Sequence, residues 1–171
     1  MKTRIYAFFA TVIVFAVFSA NVTGQVEATA TATATIVTPI SIANTTDMNF
    51  GNIAVSATAG TVILAPAGTR TPTGGVTLPA VPGTVSSAVF TVTGTPAYTY
   101  VITLPAAATT VTSGANTMTV DTFTSTPDGT GTLDGSGNQT LQVGATLNVG
   151  INQASGTYVS GTPFTVTVNY N

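Results

Sequence analysis

The chain has no cysteine, no histidine and no tryptophan, and it has very few charged residues. Without cysteine it can form no disulfide, no thiolate nucleophile and no cysteine-ligated zinc site. Without histidine it lacks the commonest general base and metal ligand. Only 3 Lys and Arg residues are present, so the positive charge that nucleic-acid binding requires is missing. We therefore expect no enzymatic activity, no catalytic residues, no cofactor, no metal and no nucleic-acid partner.

Threonine and small apolar residues make up much of what is present. Hydrophobic residues account for 44% of the chain and charged residues for 5%. Disordered proteins have the opposite composition, with high charge and low hydrophobicity. The composition therefore predicts a folded protein whose surface is polar mainly through hydroxyl and amide groups.

The beginning of the chain has the pattern of a secretory signal peptide. Lys2 and Arg4 precede an uncharged apolar run at residues 5–18, and a short segment rich in small and polar residues follows at 19–24. The apolar run is shorter than the ~20 residues that span a membrane. We therefore expect export to the cell surface or the medium, without a stable membrane anchor.

Signal cleavage is predicted after Gly24, with cuts after Ser19 or Ala20 as alternatives. Residues 25–171 then have the length of a single domain. Arg70 is the only basic side chain in this part of the chain. Since it contains no lysine, it cannot form the Lys–Asn isopeptide bonds of one class of surface pilins.

Apolar and polar residues alternate along nearly all of the chain after residue 25, whereas helical periodicity is nearly absent. β-Branched residues dominate the alternating runs, and turns rich in Gly, Pro and Asp separate them. This pattern predicts an all-β, antiparallel Ig-like or Greek-key β-sandwich of about eight to ten strands. The predicted strands are residues 26–36, 40–43, 48–53, 60–65, 76–78, 85–93, 98–104, 118–123, 141–151 and 164–170, and the predicted turns include 71–75, 127–129 and 134–137.

Two of these strands contain predicted irregularities. A bulge or a change of face is expected at Asp121 and Thr122, where the alternation shifts by one residue. A second bulge is expected at Gly144, because glycine within a strand often marks a bend.

The N-terminal segment, residues 25–38, alternates small apolar residues with threonine and glutamate. Two interpretations remain open: it is the first strand of the chain's own sheet, or it is a donor strand that completes the sheet of another copy. The candidate donor side chains are Val26, Ala28, Ala30, Ala32, Ala34 and Ile36. The candidate strand that flanks the acceptor groove contributes Phe164, Val166, Val168 and Tyr170.

Protection of the sheet edges is the second indication of assembly. Lysine on an edge strand commonly prevents pairing between molecules, and residues 25–171 contain none. This deficit favours strands paired with another copy over a monomer that hydroxyl groups and negative charge keep soluble.

Several short blocks, in their order along the chain, resemble the secreted bacterial family called domain of unknown function 4402 (DUF4402). The resemblance implies a secreted, surface-located all-β domain similar in architecture to fimbrial subunits, and it supplies no catalytic residues. The blocks include Ala34-Thr-Ile-Val-Thr-Pro-Ile40, Asn49-Phe-Gly51, Thr69-Arg-Thr-Pro-Thr-Gly-Gly-Val76, Phe90-Thr-Val-Thr-Gly94, Tyr100-Val-Ile-Thr-Leu-Pro105, Val143-Gly-Ala-Thr-Leu147 and Phe164-Thr-Val-Thr-Val-Asn-Tyr170.

Carboxylates are the only acid–base groups available for chemistry. Asp128 and Asp134 lie in glycine-rich segments, where they form either a calcium loop or ordinary hairpin turns. Their spacing does not match the calcium loop in which oxygen ligands recur at every second residue. A glycosidase pair that includes Asp121 is a further alternative, which the lack of tryptophan disfavours.

Arg70 and four tyrosines are the remaining candidates for a binding site. Arg70 pairs with Asp47 or Glu27, or it binds an anionic partner. The tyrosines belong to the core or form a platform that stacks on glycans, and Tyr98 and Tyr100 are expected to share a face. The four tyrosines are Tyr98, Tyr100, Tyr158 and Tyr170.

The leading functional hypothesis is a non-enzymatic structural protein, the subunit of a fimbria-like filament built from copies of the chain. A chaperone and an usher are further expected partners. The alternative is a monomeric adhesion module that binds glycans or another surface protein.

Overall fold

The structure is a computed structural model, and it describes residues 24–171. The predicted signal peptide lies outside the described residues, apart from Gly24. Residues 36–171 form one compact unit, and residues 24–35 belong to a second unit.

The compact unit is all-β, as predicted, with eleven strands in the described residues rather than eight to ten. The strands are β1 (Ser41–Thr46), β2 (Ala54–Leu64), β3 (Arg70–Thr77), β4 (Ala88–Thr93), β5 (Thr99–Thr103), β6 (Thr109–Ser113), β7 (Asn116–Thr126), β8 (Thr130–Thr132), β9 (Asn138–Val149), β10 (Val159–Ser160) and β11 (Thr167–Tyr170).

The strands form two antiparallel sheets, which confirms the β-sandwich. The large sheet has eight strands in the order β1-β4-β9-β7-β6-β10, with β2 also on β9 and β3 on β2. The small sheet has three strands in the order β11-β5-β8. Strand β9 organises the large sheet, because its first half pairs with β4 and its second half with β2. On its other side, β7 pairs with residues 142–148.

Two clusters of buried side chains make up the core. The first cluster lies between the sheets and includes Phe90 and Val92 of β4, Tyr100 of β5 and Val168 of β11. The second cluster combines the large sheet with loop residues such as Phe50, and it contains no residue of β5, β8 or β11. The small sheet therefore contributes nothing to the second cluster, which loops cover instead.

The predicted irregularity at Asp121 and Thr122 is confirmed. The pairing of β7 with β9 shifts register between Asp121 and Thr124, and Thr122 has a positive φ of 49°. Two residues of β7 oppose one residue of β9 there, which is the arrangement of a β-bulge. The bulge brings Phe123 against Phe164, with ring centroids 4.9 Å apart.

The predicted bulge at Gly144 is wrong. Strand β9 runs without interruption through Gly144, and the irregularity lies opposite it in β7. Glycine is required for another reason: a Cβ atom at this position would lie 2.1 Å from the carbonyl oxygen of Leu64. Gly144 therefore permits the end of β2 to approach β9 at the point where β9 changes partner from β4 to β2.

Substitution of Gly144 by alanine is expected to destabilise the domain by about 1–3 kcal/mol, because the backbone of β2 must move away. Urea denaturation measures this change. Gly135→Ala is the matched control, since no atom lies within 4 Å of its added Cβ, and it should change stability by less than about 0.5 kcal/mol. Equal stability of the two variants would show that the close approach is not a constraint.

Three other predicted elements differ from the structure. Residues 71–75 were predicted as a turn but lie within β3, where Pro72 is tolerated because β3 is an edge strand with β2 as its one partner. Residues 48–53 form a loop with a single bridge from Asn49 to Ser86, instead of a strand. Residues 26–36 form no strand, as described below.

Candidate functional site

The N-terminal segment has no hydrogen-bonded strand partner within the described chain. No strand is assigned before β1, and residues 24–36 are exposed throughout. The side chains of Val26 and Ile36 are 95% and 97% exposed. The predicted strand at residues 26–36 is therefore not formed in the described residues. The apolar row Val26, Ala28, Ala30, Ala32, Ala34 and Ile36 faces solvent.

The predicted acceptor-flanking segment has the expected alternation. Val166 and Val168 are buried, each 7% exposed, whereas Thr165, Thr167 and Asn169 are exposed. Only its second half is a strand, since β11 begins at Thr167. On one side β11 pairs with β5, and it is the edge of the small sheet. In the described residues no strand pairs with its other side, and an edge of this kind can accept a further strand.

Tyr170 fixes the end of β11. Its hydroxyl donates to the carbonyl of Thr38 at 2.8 Å and accepts the backbone N–H of Thr95 at 2.7 Å. Its ring packs edge-on against Tyr98, with centroids 5.5 Å apart. The residues that lead into β1 are therefore held at the end of the small sheet's edge strand.

A large groove lies over the second core cluster, and we call it the apolar groove. Its volume is about 1250 Å³. Residues 47–55 form one wall and residues 153–164 form the other, so the start of the acceptor-flanking segment borders it through Phe164. Its floor consists of inward-facing side chains of the large sheet: Val111, Met118, Val120, Leu147 and Val149.

Arg70 stabilises one wall of the groove. Its Nη1 atom donates to the backbone carbonyls of Phe50 and Asn52, the latter at 2.9 Å. Gly51 lies between them with a φ of +68°, and a Cβ there would meet the carbonyl oxygen of Pro82 at 2.3 Å. Arg70 thus binds a tight loop, and the predicted pairing with Asp47 or Glu27 is replaced by these two carbonyl contacts.

The comparison with protein families matches most of the compact unit to one family. Residues 40–170 match the family described as "Domain of unknown function (DUF4402)". This chain belongs to that family. The match spans every strand of the two sheets and confirms the resemblance in the sequence. Comparisons with curated proteins and with solved structures gave no significant match.

Two of the blocks that resemble the DUF4402 family are in contact through Arg70. Arg70 lies in the block 69–76, and it binds the carbonyl of Phe50 in the block 49–51 and that of Asn52 directly after it. Replacement by methionine keeps the aliphatic length but removes both charge-assisted hydrogen bonds. Arg70→Met is expected to destabilise this DUF4402 domain by about 1.5–3 kcal/mol in urea denaturation.

Arg70→Lys is the control, because an ammonium group keeps the positive charge and N–H donors but lacks the planar geometry of the guanidinium. We expect it to recover part of the loss. If Arg70→Met were as stable as the wild type, the two hydrogen bonds would have no role in holding the wall.

Asp134 of this DUF4402 domain has structural partners. Asp134 accepts the backbone N–H groups of Ser136 at 2.8 Å and Asn138 at 2.9 Å. These bonds, led by that from Asn138, hold the pKa of Asp134 below its ordinary value. Asp134 therefore closes the turn that leads into β9, which explains the carboxylate without a calcium ion.

Asp121 is also held by neighbouring side chains. It accepts the side-chain amide of Asn148 at 2.9 Å and the hydroxyl of Thr122 at 3.0 Å. In residues 24–171, no three Asp, Glu, His or Cys side chains are grouped closely enough to hold a metal ion. The geometry thus provides structural roles for both Asp121 and Asp134.

The four tyrosines do not form a common platform. Tyr100 is fully buried and donates to Gln139 Oε1 at 2.8 Å, while Tyr98 is 44% exposed and precedes β5. Tyr100 therefore belongs to the core, as one of the two interpretations expects, and it forms no exposed platform with Tyr98. Tyr158 lies in the opposite wall of the groove, where its hydroxyl donates to the carbonyl of Ala154 at 2.8 Å.

The apolar groove is the part of the site that the sequence did not predict. Val111 lies in β6, which has no predicted counterpart, and Met118 and Val149 have the inward alternation of ordinary core residues. Alternation indicates which side chains face inward but not whether another layer covers them. Met48, Phe50 and Ile53 were predicted within a strand, whereas the structure places them in a loop that lines the groove.

Proposed function

We propose that the chain is a secreted or surface-displayed structural protein without enzymatic activity, which assembles with copies of itself by β-strand addition. The product is a fimbria- or pilus-like filament. In this mechanism an extended segment of one copy adds to an open sheet edge of the next, and main-chain hydrogen bonds join the two.

The observation on which the proposal depends is the unpaired N-terminal segment. Its alternating apolar side chains are exposed, although each buried methylene or methyl group contributes about 0.8 kcal/mol to stability. A strand-like pattern that finds no sheet within its own chain is suited to a sheet in another chain. The absence of lysine on the neighbouring sheet edges leaves such pairing unopposed.

The outer face of the large sheet is compatible with close contact between subunits. Hydroxyl groups pair across its strands, as in Ser41 with Thr93 and Thr61 with Thr73, both at 2.7 Å. Neutral hydroxyl groups of this kind are desolvated at a much lower cost than charges. A packed filament wall can therefore bury this face.

The predicted export of the chain supports the same proposal. The first 24 residues have the pattern of a secretory signal, and this pattern alone is the support. In residues 24–171 there is no helix long and apolar enough to cross a membrane. A chaperone that covers the exposed donor segment or the open edge before assembly, and an usher that orders the subunits, are the expected partners.

The test is the state of association of the exported chain. Size-exclusion chromatography with light scattering, followed by negative-stain microscopy, should show filaments or a ladder of oligomers. If the protein remained monomeric at every concentration tested, the proposal would be overturned.

A second candidate function is adhesion by a monomer, and the apolar groove is the observation that favours it. Its floor is apolar, and polar side chains such as Asn49, Asn52 and Gln153 lie in its walls. Binding clefts commonly combine these features. Binding of the monomeric protein to a glycan or peptide array tests this function. Binding that the groove variant Met118→Trp abolishes would support it.

A further inference from the structure

We propose that the apolar groove is the acceptor site, and that its occupant is the N-terminal segment of a second copy. This inference rests on the proposed function and names the surface on which it operates. It extends the predicted acceptor from the flanking strand β11 to the floor formed by β6, β7 and β9.

The first argument is the incomplete cover of the large sheet. Strands β5 and β11 of the small sheet contribute residues to the first core cluster, and no strand of the small sheet contributes a residue to the second. Over the second cluster, the facing layer is made of loops, and the groove opens between them. A sandwich normally buries the inner face of each sheet against another layer. One additional strand in the groove would supply the missing part of that layer.

The second argument is the position of the open edge. Phe164 borders the groove at the start of the segment that continues into β11, and β11 is the edge strand of the small sheet. A strand that enters the groove can therefore pair with this segment and extend the small sheet over the uncovered floor. Main-chain pairing and side-chain burial then occur at one place, as strand addition requires.

The third argument is size. The groove of about 1250 Å³ exceeds the roughly 300–1,000 Å³ of clefts that hold small molecules. An elongated peptide is a better match to this volume than a compact ligand. Every second residue of an extended strand points to the same side, so the segment would present Ala28, Ala30 and Ala32 to the floor. Small side chains suit a groove whose walls already contain Phe50 and Phe164.

The fourth argument is charge. Asp47 is the one carboxylate among the groove's lining residues, and the inward row of the segment has no charged residue. Glu27 belongs to the opposite, threonine-rich row and would remain in solvent. Insertion therefore buries no unpaired charge, which would otherwise oppose binding strongly.

Cysteine cross-linking tests the inference, because the chain has no cysteine of its own. One copy carries Ala30→Cys and a second, tagged copy carries Met118→Cys in the groove floor. The two are mixed, allowed to assemble and oxidised mildly. We expect a disulfide-linked dimer of tagged and untagged chains, since a disulfide requires Cβ atoms about 3.5–4.5 Å apart.

Two controls test whether cross-linking depends on the side of each strand that carries the cysteine. Thr117→Cys replaces Met118→Cys as the acceptor, because neighbouring residues of β7 point to opposite faces of the sheet and Thr117 is exposed. Thr29→Cys and Thr31→Cys replace Ala30→Cys as the donor. With Met118→Cys as the acceptor, we expect strong cross-linking to Ala30→Cys and none to Thr29→Cys or Thr31→Cys. With Thr117→Cys as the acceptor, we expect no cross-linking to any of the three donors.

The other outcomes separate the two proposals. Filaments without cross-links to position 118, or with equal cross-linking to position 117, would overturn the groove as the acceptor and leave strand addition at another edge. A disulfide formed within a chain that carries both Ala30→Cys and Met118→Cys, without any between the mixed single variants, would show that the segment fills its own groove. The absence of both assembly and cross-links would overturn the proposed function itself.

Discussion

Deletion of residues 25–35 is expected to abolish polymerisation completely while leaving a folded subunit. All eleven strands and both core clusters lie after residue 36, so the deletion removes no strand and no buried core residue. The free energy of unfolding of the monomer should change by less than about 0.5 kcal/mol, as for other exposed sites. Light scattering measures the loss of assembly, and urea denaturation checks that the subunit remains folded.

A charge-substitution pair is the matched control for this deletion. Ala28→Asp with Ala32→Asp places two carboxylates in the apolar row, whereas Thr29→Asp with Thr33→Asp places the same charges in the polar row. Because a buried unpaired charge is very unfavourable, we expect the first pair to prevent assembly and the second to permit it. Polymerisation of the deleted chain would show that residues 25–35 are not the donor.

Substitution of Tyr100 by alanine is expected to have the largest effect on stability, a loss of about 3–5 kcal/mol. Tyr100 is the largest of the fully buried side chains, and it lies in the cluster between the two sheets. Its hydroxyl donates to Gln139 Oε1, which also accepts the backbone N–H of Thr132 at 2.8 Å. Tyr100 thus connects strands β5, β8 and β9, and its loss leaves a cavity between the sheets.

Tyr100→Phe separates the hydrogen bond from the packing. We expect a loss of about 1 kcal/mol, because Gln139 keeps its bond to Thr132. Burial raises the pKa of Tyr100 above its ordinary value of 10.0. The stability due to this shift is therefore present below pH 10.0 and is lost as the pH rises through the higher pKa of the folded state.

Urea denaturation at neutral pH and above pH 10.0 measures both effects. The wild type should lose stability in the alkaline range, and Tyr100→Phe should lose less. If Tyr100→Ala were within 1 kcal/mol of the wild type, the side chain would not be the central packing residue between the sheets.

The sequence was sufficient to predict the sandwich because alternation is a direct consequence of a half-buried strand. Phe90 and Val92 alternate with half-buried threonines in β4, and Val166 and Val168 alternate with exposed threonines before and within β11. The bulge at Asp121 and Thr122 was also predictable, since a bulge shifts the alternation by one residue. These features depend on neighbours in the chain and need no knowledge of the tertiary contacts.

The errors arose where distant contacts determine the conformation. Residues 71–75 have the composition of a turn, but pairing with β2 holds them in β3. Gly144 has the composition of a bulge, but the end of β2 at Leu64 is what requires a glycine there. The apolar groove could not be predicted because it depends on how far the small sheet extends over the large one.

Hydrogen–deuterium exchange of the assembled protein tests the central claim most directly. If residues 25–36 form a donor strand between copies, their backbone amides should exchange slowly in filaments and rapidly in monomers, together with newly protected amides at residues 164–170. Rapid exchange of residues 25–36 within filaments would contradict strand addition by this segment, whatever else joins the subunits.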